Sequence, residues 1–245
     1  VSLKVQQKEL GMYVPPMINK FDYPTLTRID GKPRMYVTET GNLPSVTTIL
    51  SATASEESKQ ALANWRTYVG DTQADAITKE ACDIGTLMHE NLENRLLRKQ
   101  DHEGGMPMRV LARRMADSIQ ENAWPKIEEI WGQEVQLYYG GLWAGTTDIV
   151  GLYNGVPTIM DYKNSRRVKT RDDVEGYFTQ GCAYALAHNQ MFGTDIRSVA
   201  IFMCVRKDPK NLQYLEFSIE GDEFDHYQKL WVQKVTQYYT QLGEV

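Results

Sequence analysis

Two carboxylates and a lysine define the chemistry this sequence is equipped for. Asp148 precedes an Asn154-Gly155 pair by six residues, Asp161 follows that pair by six, and Lys163 lies two further on. Asn-Gly between apolar segments is a strong hairpin signal. The spacing predicts strands over Thr147–Tyr153 and Val156–Tyr162, with position 148 opposite roughly position 161. Side chains opposed across a strand pair stand about 5 Å apart, and residues two apart on a strand share a face. Two carboxylates that close raise each other's pKa unless a cation lies between them. Mg²⁺ suits such a place, because it takes one or two carboxylates with waters and a phosphate. A lysine on the same face can hold a nucleophilic water or offset charge at phosphorus. Phosphodiester hydrolysis fits that set. An Asp-x-Lys alone is common on solvated strand ends, so the second acid across the hairpin is the distinguishing feature.

The elements that must carry these residues can be read around them. Thr25–Asp30 and Arg34–Thr38 alternate about Asp30-Gly31-Lys32, which predicts a hairpin. Pro44-Ser45 opens a short helix with Ser45 as N-cap. From Glu56 to about Trp131 apolar residues recur at helical spacing, for example Leu111, Met115 and Ile119. Pro107 suits the first turn of a helix, and Pro125 ends or kinks one. From Glu134 the pattern becomes strand-like through Val135, Leu137 and Tyr139. A helix is expected from about Arg171 to Asn189, then a buried strand over Val199–Val205. A partner strand over Leu212–Ile219 and a closing helix over Asp222–Leu242 complete the chain. The expectation is one domain over residues 1–245: an N-terminal hairpin and lead-in (1–55), a helical wing (56–131) and a catalytic α/β core (132–245) around a mixed central sheet.

Composition narrows the field. Net charge is −5, unlike proteins that coat nucleic acid electrostatically, but a local basic groove remains compatible with it. No stretch is long and apolar enough for a membrane helix. Cys82, Cys182 and Cys204 are scattered and odd in number, which argues against a disulfide framework and an iron–sulfur cluster. All three are expected to be buried as small apolar residues. Basic residues follow the Asp161 strand directly: Arg166, Arg167, Lys169 and Arg171. Two further clusters are Arg95, Arg98 and Lys99, and Arg109, Arg113 and Arg114. Such runs are ordinarily solvated faces, but beside a phosphate-cutting centre Arg166, Arg167 and Lys169 are candidates for backbone contacts. Tyr138, Tyr139, Trp143 and Tyr177 are near enough in sequence to stack on unpaired bases.

Gly145-Thr146-Thr147-Asp148, followed after twelve residues by Asp161-Tyr162-Lys163, resembles the core of RecB-type nucleases in the PD-(D/E)XK superfamily. Three flanking motifs fall in the same order as in that family. They are Leu43-Pro44-Ser45-Val46-Thr47-Thr48-Ile49-Leu50, then Gly85-Thr86-Leu87-Met88-His89 with Glu93, then Gln180-Gly181-Cys182-Ala183-Tyr184. The first is similar to the opening of the mitochondrial genome maintenance exonuclease group with its phage and bacterial relatives. The resemblance spans residues 43 to 206. It implies a restriction-endonuclease-like α/β fold, a mixed sheet flanked by helices, with a helical N-terminal wing.

The roles implied by this resemblance are specific. Asp148, Asp161, the Tyr162 carbonyl and His89 would bind the metal, Mg²⁺ or Mn²⁺, with His89 also able to touch the scissile phosphate. Lys163 would position the attacking water. Gln180 and Tyr184 would contact nucleic acid and buttress the site, and Glu93, in the His89 motif, is an outer candidate; apart from the resemblance, Glu134 is a further candidate for an outer acid. Each has an ordinary counterpart, since His89 could be a satisfied interface histidine and Gln180 and Tyr184 could simply pack their helix. Two departures stand out: aspartate rather than glutamate at 161, and Asn164 where threonine or serine is frequent. The implied activity is a metal-dependent DNA exonuclease at single-stranded ends or flaps, in replication, recombination or repair. A structure-specific endonuclease or a catalytically silent nucleic-acid-binding protein are the alternatives. DNA, preferentially single-stranded, is the expected partner, with replication or recombination proteins as further candidates and no membrane. The expected location is a bacterial or phage-infected cytoplasm, the chain carrying no arginine-rich leader, with the mitochondrial matrix as the alternative.

Overall fold

The computed structural model describes residues 13–208 and 211–243. The first expected hairpin is present as β1 (Thr27–Ile29) and β2 (Met35–Thr38), and β3 (Gly41–Pro44) adds a third antiparallel strand. Helix α1 (Val46–Ala52) starts where the sequence places it. The Ser45 backbone is extended, and its hydroxyl accepts the Thr48 N–H at 3.0 Å, so a donor that the helix cannot pair internally is satisfied. Ser55 caps α2 (Glu56–Val69) in the same way, with Glu56 and Glu57 in the first turn, a favourable placement near the positive helix end. Yet α2 buries none of its residues. Helix α3 (Asp71–Leu96) buries Ile84, Met88, Asn91, Leu92 and Leu96 along its second half, and α4 (Pro107–Ala123) buries Leu111, Met115 and Ile119 against it.

Five strands form the central sheet: β4 (Ile127–Tyr139), β5 (Trp143–Tyr153), β6 (Val156–Ser165), β7 (Ser198–Arg206) and β8 (Leu212–Glu220), in that spatial order. All neighbours run antiparallel except β6 and β7. A parallel pair needs a crossover, and α5 (Glu175–Phe192) supplies it. The β5–β6 turn is the one foreseen: Asn154 and Gly155 have φ of 48° and 79°, the left-handed values a tight two-residue hairpin requires.

Helix α6 (Gly221–Leu242) joins α1 and α5 over one sheet face, while α3 and α4 cover the other. Strand β7 feeds both cores, Val199, Ile201, Met203 and Val205 into the first and Ala200, Phe202 and Cys204 into the second. Burial on both sides explains its unbroken apolar run. Where α5 crosses β7, a Cβ on Gly181 would stand 2.3 Å from Val199 Cγ1, so only glycine permits that approach.

Two expectations need correction. The helical wing stops sooner than residue 131, because β4 begins at Ile127. The α-helix ends at Ala123 and Pro125 lies within the 3-10 turn Trp124–Lys126 that follows it, but register shifts at Ile127/Glu129 and Ile130/Gly132 break the two-residue alternation that would have announced a strand. Cys82 is exposed, whereas Cys182 and Cys204 are buried. Cys82 falls on a part of α3 that contributes little to the core.

Candidate active site

Strand pairing assembles the acids. The β5–β6 register runs to Ile149↔Met160, and one further step sets Asp148 across from Asp161. There the ladder ends, and Asp148 instead accepts the Tyr162 backbone N–H on Oδ2 at 2.6 Å. On its other side β5 pairs β4 through Gln133↔Ile149 and Val135↔Thr147, which brackets Glu134 against Asp148. Glu134, Asp148 and Asp161 thus form one row across three strands. Glu134 has φ of 48°, an uncommon and costly conformation for a residue with a side chain.

From α3, His89 reaches the row. Its Nδ1 lies 3.3 Å from Asp148 Oδ1, and its ring meets Tyr162 edge-on at 5.8 Å. Helix and strand come close here, since a Cβ on Gly85 would be 3.1 Å from Asn164 Oδ1. Asn164 also donates to the Ala81 carbonyl at 3.0 Å, which ties β6 to α3. Tyr162 is anchored by Trp124, whose indole N–H donates to its hydroxyl at 2.9 Å. Lys163 is in ion-pair contact with Asp161 Oδ2 and lies 5.0 Å from the centre of the Tyr177 ring.

The electrostatics follow from burial and crowding. Burial alone would lower the His89 pKa, but the Asp148 carboxylate overrides it and raises it to about 9. Burial likewise opposes ionisation of Asp148, and the His89 charge and hydrogen bond hold its pKa low nonetheless. Asp161 is pushed up, by burial and then by Asp148, against the pull of Lys163. Burial works against the Lys163 charge, yet Asp161 and Asp148 raise its pKa and keep it an ammonium. Glu134 is exposed as a residue. Its carboxyl end nonetheless enters the crowded row, where desolvation and then Asp148 and Glu93 raise its pKa to about 8. Glu93 is raised in turn, by burial first.

Among the described residues, His89, Glu134 and Asp148 each offer a ligand atom within 4.8 Å of the others. That donor set, one imidazole and two carboxylates, suits a divalent cation. Carboxylates held protonated or paired only by their neighbours are what a cation would relieve. Of the metal ligands expected from the sequence (His89, Asp148, Asp161 and the Tyr162 carbonyl), His89 and Asp148 belong to this group, Glu134 joins them, and Asp161 lies beside it in contact with Lys163.

Two solved structures align with part of this chain. A candidate exonuclease from Eubacterium rectale is 16% identical, with a TM-score of 0.49 over 68% of this chain and 69% of that one. A phage-related exonuclease from Haemophilus somnus 129PT is 15% identical, with a TM-score of 0.32 over 64% of this chain and 81% of that one. No protein-family model matches the chain, and no curated protein matches it. The chemistry therefore rests on the side chains themselves.

The outer candidates divide. Gln180 donates to the Tyr184 hydroxyl at 3.0 Å. Tyr184, expected at the nucleic acid, is only 3% exposed. Gly145 has no Cβ, and the space where one would sit lies 2.7 Å from the Tyr184 ring, so the tyrosine packs inward beneath the Gly145–Asp148 segment. Arg167 is mostly exposed and 2.8 Å from Asp173, and Arg166 is 3.5 Å from Glu80. Burial, then the Arg167 charge, lowers the Lys169 pKa. Arg95 is held by Asp101 and Asp117, and Arg113 donates to the His102 and Gly104 carbonyls, so those two brace the α3–α4 connection. No helix among the described residues is long and apolar enough to cross a membrane.

Proposed function

We propose that this protein is a divalent-metal-dependent deoxyribonuclease of the PD-(D/E)XK type, acting as an exonuclease on single-stranded ends or flaps. The observation that carries the reading is the row Glu134–Asp148–Asp161 with His89 at one flank and the Lys163 ammonium at the other. Asp148, Glu134 and His89 would hold the ion, Mg²⁺ or Mn²⁺, with Asp161 and the Tyr162 carbonyl on the adjoining strand. When bound, such an ion neutralises the carboxylates and offsets negative charge on the phosphate. Ligation needs His89 neutral, so its proton, held by Asp148, would be given up as metal binds.

The chain's own groups supply the rest. Lys163 keeps its charge and is a donor, suited to orienting a water toward phosphorus. Asp161, beside it and of raised pKa, is suited to accept that water's proton. As the water oxygen bonds to phosphorus and its proton passes to Asp161, the P–O ester bond opens and the departing alkoxide takes a proton from solvent water. Arg166, Arg167 and Lys169 leave β6 at its catalytic end and would bind flanking phosphates. Gln180 would reach the strand, with Tyr184 bracing it from below. Replication, recombination or repair are the settings in which such an activity is used.

Matched linear and circular single-stranded DNA, incubated with Mg²⁺ or Mn²⁺ beside the Lys163→Ala protein, tests this directly. Loss of the linear substrate alone, abolished in the variant, is the expected result. Cutting of the circle would make the enzyme an endonuclease. Cutting of neither, under both ions, would overturn the nuclease reading in favour of a silent binder.

A further inference from the structure

Beside the acid row lies a cavity of about 580 Å³ between α1, the start of α2, α5 and α6, within the ~300–1,000 Å³ typical of sites that enclose a small molecule. Tyr177 forms part of its wall and at the same time carries the Lys163 ammonium near its ring, 5.0 Å from the centroid. The cavity therefore begins one aromatic ring away from the catalytic lysine. Lys234 stands in the same lining with Thr47, Ser51 and Ser58. Its Nζ donates to the Thr53 carbonyl at 3.0 Å, and an ammonium has three donors, so donors remain for an anion. The acid of the lining, Glu175, accepts from the Tyr227 hydroxyl at 3.4 Å.

Of the four aromatics that the sequence offered for stacking, Tyr177 alone combines partial exposure with this position. Tyr139 and Trp143 lie parallel on each other at 4.2 Å, and Trp143 is buried. Tyr138 packs against the small sheet.

We propose that this cavity receives one unpaired nucleotide of the strand being cut, with its base on Tyr177 and a phosphate on Lys234. The proposal rests on the nuclease reading and sharpens it: a base can lie on a side-chain ring only after leaving its own stack. The substrate must therefore be single-stranded at that position. Aromatic stacking also makes the site indifferent to which base it holds.

The test is an abasic scan. Linear single-stranded oligonucleotides carry one abasic nucleotide at successive positions from the cleaved bond and are cut by the wild type, Tyr177→Phe and Tyr177→Ala. The wild type and Tyr177→Phe should lose kcat/KM about tenfold when the base is missing at one position, the scale of a single lost stack. Tyr177→Ala should lose about as much on the intact strand and be insensitive to the abasic position. In parallel, binding of fluorescein-labelled oligo-dT is followed against salt on the Lys163→Ala background. Adding Lys234→Gln should reduce the slope of log affinity on log salt by about 0.7, the value for one phosphate contact on a single strand. A wild type that cuts DNA while Tyr177→Ala keeps the same abasic profile, or a salt slope unchanged by Lys234→Gln, would overturn the assignment of the cavity. A wild type that cuts no DNA would instead remove the nuclease reading on which it stands.

Discussion

His188 offers a test of the core that can be worked through to a magnitude. Its ring is fully buried on α5, with Nε2 3.1 Å from the Tyr23 hydroxyl and Nδ1 2.8 Å from the Thr194 hydroxyl. Phe21 and Phe192 pack around it at 4.9 Å. No carboxylate is among these partners. Burial, with a smaller push from the Lys20 charge, lowers its pKa from 6.5 to about 4. The unfolded chain therefore binds the proton more tightly than the native one. The neutral ring's contribution to stability is fully present above pH ~6.5 and is lost as pH falls toward 4. At about 1.36 kcal/mol per tenfold, the loss relative to neutral pH is about 2 kcal/mol at pH 5 and about 3 kcal/mol at pH 4. Urea unfolding of the wild type and His188→Gln, followed by tryptophan fluorescence at pH 7.5, 6 and 5, measures it. The glutamine protein will be less stable at neutral pH because ring packing is lost. The informative quantity is the difference between the two proteins as a function of pH, in which the titrations of His89, Glu134 and the other acids cancel. That difference should shrink by about 2 kcal/mol between pH 7.5 and 5. Parallel stability curves would show that His188 is not held neutral and would refute the reasoning.

Two further outcomes are expected. Mn²⁺ at about a hundred times its dissociation constant should stabilise the native protein by about 2.7 kcal/mol, raising the melting temperature by roughly 5–10 °C for a chain of this size. Asp148→Asn should abolish that rise in a thermal-shift titration, and an undiminished rise would place the cation elsewhere. At the α5–β7 crossing, Gly181→Ala should cost about 1–3 kcal/mol of overpacking, because the new methyl would stand 2.3 Å from Val199 Cγ1. Adding Val199→Ala should recover part of it in urea unfolding, and a Gly181→Ala protein as stable as the wild type would contradict that approach.

The sequence by itself determined what depends on neighbours along the chain. Asn154-Gly155 dictates a two-residue hairpin, and the turn dictates register. So the juxtaposition of Asp148, Asp161 and Lys163 is legible before any tertiary contact is known. Ser45 as a cap, the two-sided burial of β7 and the closing helix were legible for the same reason, since each is written in local spacing and composition. Tertiary structure decided what depends on partners distant in sequence. Glu134 enters the acid row only because β4 pairs the far edge of β5, and its register shifts and left-handed backbone leave no simple periodic trace. Whether a tyrosine faces a ligand or the core is likewise a question of what lies opposite. Tyr184 is drawn inward over a glycine thirty-nine residues earlier, while Tyr177, about two turns earlier on the same helix, is left at a cavity wall. Arginine runs behave alike: sequence shows the charges, but only the fold shows that Arg95 is spent on Asp101 and Asp117 while Arg167 stays at the surface. The physical reason is common to all of these. Backbone conformation is set largely by local sterics and hydrogen bonding, whereas burial and electrostatic partnership belong to pairs of residues that the chain brings together only on folding.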